Sequence, residues 1–235
     1  MKTVTVRTVG ANQACIKKVL VEIQKCAQYG IACQHVCNYD EDVIEIAYEE
    51  NVSKTLLDDL IRFTVETLEP ALYALGDVTL EEQVVSLLKL RGRRLSVAES
   101  FTGGGLSSRI VSVSGASEVF FEGLNTYNEL SKIKRLGVRP ETLQKMGAVS
   151  EQTAYEMAVG LLNTGDCDIA VATTGLAGPK SDASGLPVGL CFIAVGTRER
   201  IRVYQYKFDG SRKDVTEKAI NYALYLIYKQ LKNIE

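Results

Sequence analysis

Histidine is almost missing from this 235-residue chain, and His35 is the only one. It stands far from any candidate serine nucleophile, so a Ser-His-Asp triad is not expected and such a serine would need another base. Long apolar runs are missing too. No stretch approaches the ~20 residues that span a bilayer. Met1-Lys2-Thr3-Val4 lacks the apolar core of a signal peptide, so a cytoplasmic protein with no membrane partner is expected. Excess charge is absent: 27 Lys and Arg stand against 29 Asp and Glu, a formal net charge of −2. That balance offers no electrostatic footprint for nucleic acid. The six cysteines, Cys15, Cys26, Cys33, Cys37, Cys167 and Cys191, are too few for a disulfide scaffold and read as small buried hydrophobes. Cys33, His35 and Cys37 share one face at strand spacing, with Cys26 as the one candidate for a fourth ligand. Zinc sites usually pair two Cys-x2-4-Cys motifs, so a half-buried strand face is expected here, with no metal. No repeat or long flexible linker is visible.

What is present is ample core material: 46% of residues are hydrophobic. Residues 1–76 read as one small α+β domain. Thr3–Val9 alternates as a strand. Ile16, Val19, Leu20, Ile23 and Cys26 recur at helical spacing, and Gly30 suits the helix end. Two short strands, Ile31–Val36 and Val43–Tyr48, flank a turn at Asn38-Tyr39-Asp40-Glu41. A second helix starts near Ser53 and ends by Pro70. The order β-α-β-β-α predicts helices on one face of a sheet. Thr79-Leu80-Glu81-Glu82 is a capping box that opens the next helix, which closes near Gly92.

Residues 77–235 alternate between strand and helix. Strands are expected at Leu95–Ala98, Val119–Thr126, Asp168–Thr174, Val188–Val195 and Arg202–Phe208. Helices are expected at Leu106–Val113, Glu151–Asn163 and Lys213–Lys232. This pattern predicts an α/β domain, a mixed sheet with helices on both faces. Ligands of such folds sit at the carboxyl ends of strands, where Ser100, Tyr127 and Thr174 all fall. The stretch Ala98-Glu99-Ser100-Phe101-Thr102-Gly103-Gly104-Gly105 is the most informative. Ser100 stands where a strand turns into a helix, and the glycines let backbone approach a ligand. Unpaired N–H groups at the helix start could stabilise an oxyanion. By itself the pattern also fits an anion-binding helix start or an ordinary cap.

Several motifs in register make the second domain similar to the C-terminal domain of the competence-damage-inducible protein CinA, the family that includes nicotinamide mononucleotide deamidase. They are residues 98–104, Gly115-Ala116-Ser117 with Phe120, Thr126-Tyr127 with Lys132, and Leu136-Gly137-Val138. Gly147 to Glu151, Thr174 to Pro179, Pro187-Val188-Gly189 and Phe208 to Arg212 complete the set. The first domain resembles, more weakly, the KH-type middle domain of full-length CinA. It has no Gly-x-x-Gly loop, so RNA binding is not expected. Full-length members carry a further N-terminal domain associated with pyrophosphatase activity, which is not expected here.

The resemblance implies an amidohydrolase that needs no cofactor and converts nicotinamide mononucleotide to nicotinate mononucleotide and ammonia. It implies Ser100 as nucleophile, with Lys132 and Tyr127 moving its proton. Thr102, Gly103, Gly104, Thr174, Gly175 and Arg212 would bind substrate. Three departures accompany it. Asn128-Glu129-Leu130-Ser131 stands where the family usually has Ser-Asn-Glu-Ala before the lysine. Phe101 replaces the usual cysteine and is expected to add bulk beside the oxyanion position. The loop Lys180–Leu186 keeps the family's length but few of its glycines. The alternative is a nucleotide-binding or assembly module that has lost catalysis. A homo-oligomer is expected, with the apolar stripe of the last helix available as subunit interface or as core.

Overall fold

A computed structural model describes residues 1–181 and 185–234 and divides into two compact units, Met1–Leu80 and Glu81 onward. The first unit runs β1 (Lys2–Val9), α1 (Gln13–Lys25), β2 (Ile31–Asn38), β3 (Glu41–Tyr48), α2 (Lys54–Leu68), β4 (Leu72–Leu75). Its sheet has the order β2-β3-β1-β4 with antiparallel neighbours throughout, two interlocked split β-α-β units. Both helices lie on one face, over a core of Val6, Ile16, Val19, Ile23, Ile31, Ile44, Ile46, Leu60 and Leu68. β2 and β3 are longer than the sequence suggests because a two-residue turn joins them. Tyr39 and Asp40 both have positive φ, 52° and 61°, the twist a tight hairpin requires. β4 goes unanticipated, since four residues behind Pro70 carry too little periodicity to read. On the helix side of the sheet, His35 Nε2 lies 2.8 Å from Asp42 Oδ1.

The second unit opens with α3 (Leu80–Arg91, its first residue shared with the first unit) and runs β5 (Leu95–Glu99), α4 (Gly105–Val111), β6 (Phe120–Asn125), α5 (Glu129–Leu136), α6 (Pro140–Met146), α7 (Glu151–Thr164), β7 (Ile169–Gly175), β8 (Leu190–Gly196), β9 (Ile201–Lys207) and α8 (Arg212–Lys232). The sheet order is β6-β5-β7-β8-β9. β5 is parallel to both β6 and β7, and β8 and β9 are antiparallel, so the sheet is mixed. Burial explains the two strand types. β5 is buried at all five positions, as a strand covered on both faces must be, whereas edge strand β6 alternates between half-buried and exposed.

Two layers cover the sheet. Ala154, Met157, Ala158, Leu161 and Leu162 of α7 pack on Ala98, Ala170, Ala172 and Ala194. On the other face Val215 and Ala219 of α8 join Phe101, Cys191 and Phe208. The apolar stripe of α8 is therefore spent within the chain as core. The connection after β5 leads out to β6, and the connection after β6 returns across β5 to β7. The crevice between the carboxyl ends of β5 and β7 is thus a topological switch point, the place where such sheets bind ligands. Among the described residues no helix is long and apolar enough to cross a membrane.

Candidate active site

Ser100 follows the last paired residue of β5, and its N–H extends the ladder by one step to the Thr173 carbonyl, 3.1 Å away. The chain then turns sharply. Gly103 and Gly104 have φ of +64° and +96°, and nothing lies within 4 Å of where a side chain would stand on either. These positions need glycine for the turn, and the space over them is open.

Lys132 reaches this turn from α5. It is 1% exposed, the largest fully buried side chain of the described residues. Its Nζ lies 3.0 Å from Ser100 Oγ, 2.7 Å from the Thr126 carbonyl and 3.3 Å from the Tyr127 carbonyl. Burial lowers its pKa from 10.5 to about 8, against a smaller opposing pull from Glu129. Nζ donates to both carbonyls and to Ser100 Oγ, so three oxygens surround it. The amine fits because Asn128 caps α5 by accepting from the Leu130 N–H, and because the chain between β6 and α5 turns its carbonyls inward.

Glu99 holds the turn from behind. It is 1% exposed, and its carboxylate accepts from the N–H groups of Gly104, Leu106 and Ser107 and from the Ser107 hydroxyl, at 2.6 to 3.0 Å. These bonds change the reading of the turn as an oxyanion site. The Gly104 N–H is committed to Glu99, and the Gly103 N–H to the Ser100 carbonyl at 3.1 Å. Among the described residues, the N–H groups of Phe101 and Thr102 carry no such bond and remain available.

The other expected site residues fall around this centre with different tasks. Thr102 Oγ1 is 2.8 Å from Thr173 Oγ1, tying the turn to β7. Thr174 donates its hydroxyl to the Ala148 carbonyl at 2.6 Å and is buried. A side chain on Gly175 would meet Cys191 Cβ at 2.5 Å, so glycine there serves the close pairing of β7 with β8. The hydroxyl of exposed Tyr127 is paired with Arg212 Nη2 at 3.3 Å; only the Tyr127 backbone carbonyl touches Lys132. Arg212 also donates to the Gly178 carbonyl at 2.8 Å. Phe101 adds no bulk beside the serine. Its ring is 6% exposed and turns into the core against Cys191, Phe208 and Val215. Asp182, Ala183 and Ser184 of the Lys180–Leu186 loop lie outside the described residues.

A family model described as the CinA C-terminal domain matches residues 77–231, which hold the whole Ser100–Lys132 centre. The chain belongs to the CinA C-terminal domain family. Among curated relatives, CinA-like proteins of Kosmotoga olearia and Thermotoga maritima are 42% and 39% identical, over 71% and 84% of this chain. The chain spans about half the length of such relatives or less, 40% and 51% in these two. The solved CinA superfamily protein of Klebsiella pneumoniae is 33% identical with a TM-score of 0.64. It covers 66% of this chain, which covers 96% of it. The competence/damage inducible protein of Agrobacterium tumefaciens is also 33% identical, with a TM-score of 0.60 and the same coverage. The CinA model begins at residue 77, so it lends nothing to a KH-type reading of the first unit.

Sequence reading missed two members of the site. The Thr126 and Tyr127 carbonyls carry no side-chain signal, because any residue supplies a carbonyl. Glu99 was visible as a carboxylate beside the serine, but its three backbone partners were not.

Proposed function

We propose that this CinA-family chain is an amidohydrolase that converts nicotinamide mononucleotide to nicotinate mononucleotide and ammonia. The observation that carries the reading is the 3.0 Å contact between Ser100 Oγ and a buried lysine amine whose pKa lies near 8. A serine hydroxyl is a poor nucleophile until a base removes its proton, and a lysine brought toward neutrality by burial is such a base.

On this reading Lys132 takes the Ser100 proton as Oγ attacks the carboxamide carbon. The Phe101 and Thr102 N–H groups receive the oxyanion. Lys132 then returns the proton to the departing nitrogen, so ammonia leaves and an acyl-serine remains. Water attacks the ester and gives its proton to Lys132, which passes it to Ser100 Oγ as the acyl C–O bond breaks; the carboxylic acid leaves and ionises. Tyr127 acts through its carbonyl, which helps hold the amine, while its hydroxyl orients Arg212. Arg212 opens α8, where its planar guanidinium and the positive helix end suit the nucleotide phosphate.

The test is ammonia release from nicotinamide mononucleotide by the purified chain, beside Ser100→Ala and Lys132→Ala. Release by the wild type, reduced about 10²- to 10⁴-fold or more in each variant, is expected. No release by a folded chain that the nucleotide still stabilises against heat would overturn the hydrolase reading in favour of a binding module.

A further inference from the structure

We propose that two copies of this chain join edge to edge through β2, making one continuous eight-stranded sheet from two four-stranded ones. β2 pairs with β3 in unbroken register over all eight residues, Ile31 to Asn38, and no described strand lies on its other side. That outer side therefore presents a row of backbone N–H and C=O groups, for which another extended strand is the natural complement. Ala32, Gln34, Val36, Cys37 and Asn38 are all exposed, and Val36, a β-branched apolar residue, is 53% exposed.

Soluble proteins guard such edges with lysine, proline, a bulge or a very short strand. β2 has none of these. It contains no Asp, Glu, Lys or Arg and no Pro, and its register never shifts. The other edges are guarded. β4 is four residues long with Tyr73 and Ala74 buried. β6 carries Glu122, and β9 carries Arg202 and Lys207.

The missing charge selects the partner. A symmetric pair sets the strand against its own sequence, so like charges on the edge would meet near the two-fold, and β2 avoids that cost. Pairing β2 with β6 or β9 of another copy would set Glu122, or Arg202 and Lys207, against a strand with no counter-charge. It would also be head-to-tail and need not close, whereas β2 on β2 is two-fold and closed. With the helices of both copies on one side, paired residues must share a face, and the two-fold then passes through Gln34 or His35. On the helix side a hollow of about 380 Å³, lined by Leu20, Ile23, Ala27, Ala32, Cys33 and His35, borders the strand and leaves room for the partner's side chains.

Light-scattering mass measured across a dilution series of the full chain tests the proposal. The wild type is expected at twice the chain mass. In either register, the double variant Gln34→Lys/Val36→Lys brings the introduced ammonium groups of the two copies against one another. It is expected to raise the dimer dissociation constant at least about 100-fold. Both positions are exposed, so far-UV circular dichroism should be unchanged; if the double variant loses structure, Gln34→Lys alone is used. Gln205→Lys, at an exposed position of β9, is the control and should keep the dimer. A wild type that is monomeric at about 100 µM would overturn the proposal, as would a folded β2 variant that stays dimeric or a β9 variant that dissociates.

Discussion

At the scale of single residues, Lys132 and Glu99 divide the work at Ser100. Lys132 must be neutral to act as a base, and the neutral fraction rises with pH through its pKa of about 8. Ammonia release should therefore increase nearly tenfold per pH unit below about 8 and level off above it. A profile that is flat between pH 6 and 9 would remove Lys132 from the base role. Glu99 never touches Ser100 with its side chain. It gathers three N–H groups and a hydroxyl so that the turn carrying the serine has one shape. In Glu99→Gln the new amide N–H₂ would face donors in place of an acceptor. The expected result is a stability loss of about 1–3 kcal/mol with kcat lowered more than KM is raised. The pH midpoint should stay where Lys132 sets it. A variant with wild-type kcat would show that the turn holds its shape without the carboxylate.

At the scale of elements, the position of Lys132 depends on how closely α5 lies to α7. Gly160 is in the middle of α7, and a side chain there would come within 2.1 Å of the Leu136 carbonyl at the end of α5. Gly to Ala in a helix interior normally gains up to about 1 kcal/mol. Here the obstacle is backbone, which cannot rotate away, so Gly160→Ala should cost about 1–3 kcal/mol as measured by urea unfolding. Because α5 must shift to admit the methyl group, ammonia release should fall as well. A stabilised and fully active Gly160→Ala chain would show that the two helices can separate at no cost. Gly123 on β6 is a similar case: a side chain there would meet Ser107 Oγ at 2.1 Å and displace one of the Glu99 partners.

At the scale of the whole molecule, the two units have separate cores, and Ser100, Lys132, Glu99, Thr126 and Arg212 all belong to the second. The solved Klebsiella relative is matched over 96% of its length by 66% of this chain, about the share that the second unit makes up. A piece of residues 77–235 should then fold alone and release ammonia with kcat/KM within a factor of about three of the full chain. If the full chain is active and the folded piece is not, the first unit takes part in catalysis. The solution mass of the piece is informative for the same reason, because β2 lies in the first unit.

Features that depend on near neighbours were legible in the chain alone. The alternation of β1, the apolar runs of β5 and β7, the span of α7 and the strand-turn-glycine pattern at Ser100 are local, and the structure repeats them within a residue or two. Family membership was legible in the same way, from motifs strung along the chain. Features that depend on distant elements waited for the fold. Lys132 sits among Ser131, Lys134 and Arg135 and reads locally as part of a solvated basic face. Only the packing of α5 against α7 buries it and brings it to a serine 32 residues away. Phe101 reads as an obstruction until the core behind the turn takes its ring. The committed Gly103 and Gly104 N–H groups, the carbonyls that hold the lysine and the glycine at 160 follow the same rule. Propensity is set by adjacent residues, but pKa, hydrogen-bond partners and free space are set by whatever the fold brings alongside.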